Sequence, residues 1–222
     1  MGEFFDSPFS TQTFGAAGDI PLSGDWDCNG TSTIGVFRPS IARFFLTNDN
    51  SSSFPATAPN HDKYFGAPND VPIVGDWNND NCDTIGVFRS SEARFYLANS
   101  NTAPAIDLAE YFGVGSDRPV VGDWNGDGID TVGVRRASEA RFYLADAHVW
   151  APPVMYGPYM GVSGDTGIAG DWDGNGVDTV GLWRASATRF FLCSVMAGLC
   201  PVSYTTPYGT TTGVPVVGRW LG

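Results

Sequence analysis

A Gly-Asp-Trp run recurs along this chain and constrains its fold more than any other feature. Four copies read Gly-Asp-Trp and a fifth reads Gly-Arg-Trp, and their tryptophans are Trp26, Trp77, Trp124, Trp172 and Trp220. Successive tryptophans lie 51, 47, 48 and 48 residues apart in a chain of 222 residues. Such a period indicates a repeat protein. We therefore expect one repetitive domain over residues 1–222, built from units of about 48 residues.

Each repeat contains four short segments with the composition of β-strands. In the third repeat they are an aromatic-Gly piece (109–113), an apolar run ending in Gly-Asp-Trp (118–124), a DTVGVRR segment (130–136) and an ARFYL segment (140–144). The segments are rich in β-branched and aromatic residues and are bounded by Gly, Pro, Asp, Asn or Ser. No window has apolar residues at helical spacing. The sequence therefore predicts an all-β protein.

Four strands per repeat describe the blade of a β-propeller. The chain contains five aromatic-Gly pieces and five tryptophan runs, but only four copies of the other two segments. Glu3-Phe4-Phe5 is similar to the start of the missing fourth segment. We therefore predict five blades, with an incomplete last blade assembled from and closed by both chain termini. The alternatives are four full blades, or part of a larger propeller.

Charge and cysteine content narrow the classes of partner. Acidic residues outnumber basic ones 24 to 12, for a formal charge of −12, which disfavours nucleic acid and anionic lipid as partners. No apolar run reaches the roughly 20 residues that span a bilayer, so we expect no membrane insertion. Four cysteines are compatible with an oxidising compartment. Cys193 with Cys200 would close a small loop, and Cys28 with Cys82 would join neighbouring loops.

The loop that follows each Gly-Asp places oxygen-bearing side chains at positions one, three and five, counted from the aspartate. Position six is Gly or Asn, the residue types that accept a positive φ. Oxygen donors at this spacing suit a hard cation, and calcium in particular, because no His or Cys recurs. The alternative is that the aspartates only form Asx-turns. The candidate ligands are Asp25, Asp27 and Asn29; Asp76, Asn78 and Asp80; Asp123, Asn125 and Asp127; and Asp171, Asp173 and Asn175.

These residues resemble the FG-GAP family of calcium-loop propeller repeats. The resemblance is carried by Phe65-Gly66, Phe112-Gly113 and the Asp-x-Asn-x-Asp-Gly loop at 123–128. It implies a propeller fold, structural calcium and an extracellular binding role. The family has a carboxylate at position nine of the loop, where this chain has threonine. An aspartate stands one residue earlier in three repeats, and it joins the candidate calcium ligands as Asp83, Asp130 and Asp178.

Two further sets of residues are candidates for ligand contact. Trp183 and Arg135 occupy a slot held by phenylalanine in the other repeats, so we expect the slot to be partly exposed and to contact a ligand. The recurring tryptophans are expected to pack between blades rather than to stack on sugars. Two arginines flank each predicted hairpin, and we expect them to pair with the neighbouring Gly-Asp-Trp aspartates. The alternative partner is an anionic ligand, such as a sulfated or carboxylated sugar.

Catalysis has little support in the sequence, because the two histidines, His61 and His148, lie outside the repeated segments and near no recognisable nucleophile turn. We therefore predict a non-enzymatic, secreted binding module, lectin- or adhesion-like, that binds a carbohydrate or an extracellular protein. Its state would be a monomer or a ring-completing homo-oligomer. The alternative is a structural scaffold domain of a larger secreted enzyme or adhesin, with no ligand of its own.

Overall fold

Short β-strands account for almost all regular structure in the computed structural model. It describes residues 14–49, 59–149, 152, 154–195, 200, 202–204, 207 and 209–219. The first repeat forms β1 (Ile20–Gly24), β2 (Thr33–Arg38), β3 (Arg43–Leu46) and β4 (His61–Tyr64). The second forms β5 (Val71–Gly75), β6 (Thr84–Arg89), β7 (Arg94–Leu97) and β8 (Leu108–Tyr111).

The last two repeats follow the same order of strands. The third repeat forms β9 (Arg118–Gly122), β10 (Thr131–Arg136), β11 (Arg141–Ala145) and β12 (Val154–Tyr159). The fourth forms β13 (Thr166–Gly170), β14 (Thr179–Arg184), β15 (Arg189–Cys193) and β16 (Val202–Tyr204), with a 3₁₀ helix at Ala185–Ala187. The strand positions agree with the four recurring segments, so the all-β prediction is confirmed.

Each repeat is one antiparallel sheet in which the strands lie side by side in chain order. The first strands of neighbouring sheets are in contact, β1 with β5, β5 with β9, and β9 with β13. The four sheets are thus the blades of a β-propeller, with their first strands innermost. Close packing inside a blade requires glycine on the second strand, because a Cβ on Gly86 would lie only 2.9 Å from a methyl of Leu97.

The hydrophobic core lies between adjacent blades. One cluster joins the first two blades through Trp26, a second joins the next two through Trp77, and a third joins the last two through Trp124. All three indoles are buried. The prediction that the recurring tryptophans pack between blades is therefore confirmed for these three.

The described residues form four complete sheets, so the predicted fifth blade is not confirmed and the four-blade alternative fits them. Residues 214–219 form no strand, and Glu3, Phe4 and Phe5 lie outside the described residues. The segment that pairs with an innermost strand occurs in four copies, and each copy lies in one of the four described sheets.

The C-terminal segment 214–219 nevertheless lies against both the last and the first blade. A Cβ on Gly170 would approach a methyl of Val217 to 3.1 Å, and a Cβ on Gly24 would approach a methyl of Val74 to 2.9 Å. On the side of the segment that faces the first blade, the Val217 carbonyl accepts a hydrogen bond from the Ser23 hydroxyl at 2.6 Å. Val217 therefore packs against β13 in the same way that Val74 packs against β1.

Both expected disulfides are present. Cys28–Cys82 joins the first and second Gly-Asp-Trp loops, and Cys193–Cys200 closes a short loop after β15. Over the part of the chain described above, no helix has the length and apolar character needed to cross a bilayer.

Candidate functional site

The first aspartate of each Gly-Asp-Trp loop organises the loop through backbone hydrogen bonds. In the third loop, one carboxylate oxygen of Asp123 accepts from the N–H of Gly126 at 2.7 Å and of Asp127 at 3.2 Å. The other oxygen accepts from the N–H of Gly128 at 2.8 Å, and Gly128 has a φ of 84°. The contacts with positions five and six recur around Asp25, Asp76 and Asp171. The bond that defines an Asx-turn is the one from the N–H of Asn125, two residues on, at 3.3 Å, so Asp123 holds a longer stretch of backbone than an Asx-turn alone requires.

These hydrogen bonds set the charge state of the first aspartate in the fourth loop. Burial raises the pKa of Asp171, but the N–H groups of Gly176, Asn175 and Gly174 lower it more, and the net result lies below the usual value. Asp171 is therefore ionised at neutral pH, as a cation ligand must be.

Positions three and five meet in the second and third loops. The side-chain amide of Asn125 donates to the Asp127 carboxylate at 3.0 Å, and that of Asn78 donates to Asp80 at 3.1 Å. In the first and fourth loops the position-five side chain, Asn29 or Asn175, accepts from the N–H two residues on. Asp27 and Asp173 at position three are exposed.

The donor chemistry of these loops fits calcium, because positions one, three and five all offer oxygen. Each loop nevertheless brings together only two carboxylates and one amide. No group of three or more His, Cys, Asp or Glu side chains placed to hold a metal occurs within the described ranges. Calcium at these loops stays a prediction.

The position-eight aspartates point to the neighbouring blade. Asp83 accepts a hydrogen bond from the backbone N–H of Asp25 at 2.7 Å, and its own N–H donates to the Asp25 carbonyl at 3.0 Å. Asp130 and Asp76 exchange the same two bonds at 2.8 Å each, and Asp178 and Asp123 at 3.0 and 2.8 Å. These pairs join consecutive blades, a role that sequence reasoning missed. Whether Asp83, Asp130 and Asp178 also bind calcium stays a prediction.

The three position-eight carboxylates share an unfavourable electrostatic environment. Burial, and then the charge of Asp178, raises the pKa of Asp130 well above its usual value. Burial also raises the pKa of Asp178 to about 6, although the N–H of Asp123 opposes the shift. Burial is also the main cause of the raised pKa of Asp83. The blade joints therefore carry carboxylates whose ionised form is disfavoured.

An arginine at the end of each second strand pairs with an aspartate 19 residues earlier. Arg136 binds Asp117 through two parallel hydrogen bonds at 2.9 and 2.8 Å, and Asp117 is buried. Asp117 also accepts the N–H of Val114 at 2.9 Å. The other pairs are Arg38–Asp19, Arg89–Asp70 and Arg184–Asp165. The expectation that these arginines pair with Gly-Asp-Trp aspartates is wrong. The partners stand seven residues before each tryptophan, a recurrence visible in the sequence.

In the first three blades, both arginines of the hairpin contact one aromatic ring. The guanidinium carbons of Arg89 and Arg94 lie 4.6 and 5.0 Å from the centre of the Tyr96 ring. Arg94 also stacks on Tyr111 at 4.8 Å, near the edge of the blade. Cation–π contact of both guanidinium groups with one ring offsets part of the repulsion between two like charges in one hairpin.

The expectation that the slot of Trp183 and Arg135 is partly exposed is wrong. Trp183 is 3% exposed and Arg135 is 1% exposed. The Trp183 indole N–H donates to the Gly213 carbonyl at 3.2 Å. The Arg135 guanidinium donates to the carbonyls of Asp165 at 3.0 Å and Val162 at 2.7 Å, in the connection to the next blade. The buried charge of Arg135 is tolerated because those carbonyls accept hydrogen bonds from its guanidinium. A ligand-binding role for Trp183 and Arg135 stays a prediction.

His148 forms a buried pair that the sequence did not indicate. One ring nitrogen lies 2.8 Å from the Glu110 carboxylate, and the other lies 2.7 Å from the carbonyl of Asp130. Both nitrogens lie within hydrogen-bond distance of oxygen atoms, so the ring bridges the edge of the second blade and the joint between blades.

Comparison with known proteins leaves the resemblance to the FG-GAP repeats as an expectation. Neither protein-family models, curated proteins nor solved structures gave a significant match to this chain.

Proposed function

We propose that this protein is a non-catalytic extracellular binding module, lectin- or adhesion-like, on a propeller scaffold. The observation that carries the proposal is a repeated exposed tyrosine at the end of the outer strand of three blades. Tyr64, Tyr111 and Tyr159 are 65%, 41% and 52% exposed. Each ring has an arginine stacked on it, at 4.8, 4.8 and 4.4 Å from its centre. Rigid aromatic rings presented to solvent are common anchors in binding surfaces.

The proposed ligand is a carbohydrate or an extracellular protein, and the proposed location is outside the cell. The two disulfides support an oxidising compartment. An anionic sugar is disfavoured, since the arginine ending each second strand already has an aspartate partner. The same internal pairing favours the competing proposal, a scaffold domain of a larger secreted protein with no ligand of its own.

Membership in the FG-GAP type of repeat, with structural calcium, is part of the proposal. In the second and third loops the first, third and fifth residues would hold the ion, and the ion would neutralise the carboxylates that accept the backbone N–H groups of the loop. What supports this is the all-oxygen donor set and its recurrence in four loops.

We also propose that the C-terminal segment 214–219 occupies the place of a fifth innermost strand. Its contacts with Gly170 on one side and Ser23 on the other support a five-position ring. Completion of that blade would come from the N-terminal residues of the same chain or from a second copy. Sedimentation equilibrium distinguishes these two ways of completing the blade, because completion by a second copy requires an oligomer.

A combined array of glycans and extracellular proteins, probed in calcium and in EDTA, tests the binding function. We expect specific binding to at least one glycan or protein class, weakened by EDTA. Binding to no probe in either condition would favour the scaffold.

A further inference from the structure

A groove of about 380 Å³ lies between the first and second blades. Ile41 and Tyr64 line it from the first blade, and Arg89, Tyr96 and residues 104–106 line it from the second. Ile41, Tyr64 and Ile106 are all exposed although they are apolar or aromatic. The volume falls within the roughly 300–1,000 Å³ of small-molecule sites. Exposed apolar side chains gathered around one concave space point to an occupant.

The aromatic walls of the groove are held in place before any ligand arrives. Arg43 stacks on the Tyr64 ring and is itself paired with Asp62 across the strand pair. On the other wall, the Tyr96 hydroxyl is hydrogen-bonded to Glu92. A ring fixed in this way loses little conformational entropy on binding.

The charges at the groove are already compensated within the protein. Arg89 is bound by Asp70 at 2.9 Å and by Glu92 at 3.3 Å. An anionic ligand would have to compete with these carboxylates and approach a chain of net charge −12. A cationic ligand would meet the guanidinium of Arg89. The charge distribution therefore suits a neutral ligand with an apolar face and a polar rim.

We infer that this groove binds a neutral pyranose, as a free sugar or as the end of a glycan. The C–H face of the sugar would lie on Tyr64 beside Ile41 and Ile106, and its hydroxyls would meet the backbone around Gly66. The inference rests on the proposed binding function and assigns it a site and a ligand class. Val162 is exposed and apolar as Ile106 is, but it does not line this groove, so Val162→Ser provides a matched control for Ile106→Ser.

The test compares full-length wild type, Tyr64→Ala, Tyr64→Phe, Ile106→Ser and Val162→Ser. The probes are immobilised glycans ending in galactose, glucose, mannose or N-acetylglucosamine, with sulfated and sialylated glycans as the anionic set and extracellular proteins as a third set. We expect wild type to bind a neutral glycan, and Tyr64→Ala and Ile106→Ser to weaken that binding about tenfold or more. Tyr64→Phe, which keeps the aromatic ring, and Val162→Ser should bind as wild type. Thermal unfolding checks that each variant is folded. If Tyr64→Ala does not fold, Ile106→Ser alone tests the groove.

The outcomes separate this inference from the proposed function. If neutral-glycan binding survives both Tyr64→Ala and Ile106→Ser, the groove is not the sugar site, but the proposed binding function stands. Binding restricted to anionic glycans, or to an extracellular protein, overturns the sugar assignment and again leaves the module. Binding of wild type to no probe overturns both.

Discussion

Ser32 and Arg219 exchange two hydrogen bonds although 187 residues separate them. The backbone N–H of Ser32 donates to the Arg219 carbonyl at 2.9 Å, and the N–H of Arg219 donates to the Ser32 hydroxyl at 2.8 Å. Asp83 and Asp25 exchange the same pair of bonds between the first and second blades. The C-terminal segment thus meets the first blade through the contact that consecutive blades use. Serine replaces aspartate at this joint, and arginine replaces the leading aspartate.

Removing the Ser32 hydroxyl should loosen this joint. Ser32 is buried, so Ser32→Ala leaves the Arg219 N–H without an acceptor, and we expect a loss of about 1–2 kcal/mol in the free energy of unfolding. Urea denaturation measures the loss, and amide exchange should quicken at Arg219. Ser40→Ala, at an exposed hairpin position, is the control and should change little. Equal stability of both variants would mean that the contact does not close the molecule.

The raised pKa values at the blade joints predict how stability depends on pH. Asp178 has a pKa of about 6 when folded, against 3.8 in its unperturbed form, so the folded state binds more protons between these values. By linkage, the contribution of such a group to stability grows as pH falls through 6 and is lost as pH rises. Asp130, shifted in the same direction, adds to the effect.

Asp178→Asn isolates this effect. The amide oxygen can still accept the N–H of Asp123, but the disfavoured charge is gone. In EDTA we expect the variant to be more stable than wild type by about 1–2 kcal/mol at pH 7, and the difference to vanish near pH 4. Urea denaturation at both pH values provides the measurement, with exposed Asp27→Asn as the control. A destabilised variant at pH 7 would instead mean that the ionised carboxylate stabilises the fold.

The strands and the interblade core could be predicted from the sequence because both depend on local pattern. Each strand carries its own signature, and Trp26, Trp77 and Trp124 recur at the position that the core requires. Arg135 shows where such reasoning ends. Its place in a phenylalanine slot indicated that the side chain is exposed. In the structure, carbonyls in the connection to the next blade accept hydrogen bonds from its guanidinium. Acceptors supplied by another repeat are a tertiary feature that composition and spacing do not contain.

The repeated Arg–Asp pair should stabilise each blade far more than the surface pair that shares its arginine. Asp117 is buried, so Asp117→Ala leaves Arg136 without its bidentate partner and the Val114 N–H without an acceptor. We expect a loss of about 3 kcal/mol. Glu139 is exposed and lies 3.3 Å from the same arginine, and Glu139→Ala should cost less than about 1 kcal/mol. Chemical denaturation of the two variants compares them, and similar losses would argue against a structural role specific to Asp117.

Asp127→Asn separates a calcium loop from a simple turn. The Asp127 carboxylate accepts the N–H of Ile129 at 2.9 Å, and an asparagine oxygen can accept the same bond, so the turn survives the substitution. A cation, in contrast, loses one of its two carboxylates in that loop. Extracellular calcium modules bind with Kd near 1 mM, so about 10 mM calcium should stabilise wild type by about 1.4 kcal/mol for each occupied loop. Thermal unfolding with and without calcium should therefore show a smaller rise in Tm for the variant.

The control for that experiment is Asp107→Asn. Asp107 also accepts a backbone N–H, from Asn99 at 2.7 Å, but it lies outside the Gly-Asp-Trp loops and should leave the calcium response intact. A wild-type Tm that does not respond to calcium, or a response that Asp127→Asn leaves unchanged, would reduce the third loop to an Asx-turn. A smaller response in Asp127→Asn alone would place a calcium ion in the third loop, since both variants keep their backbone hydrogen bonds and lose one negative charge.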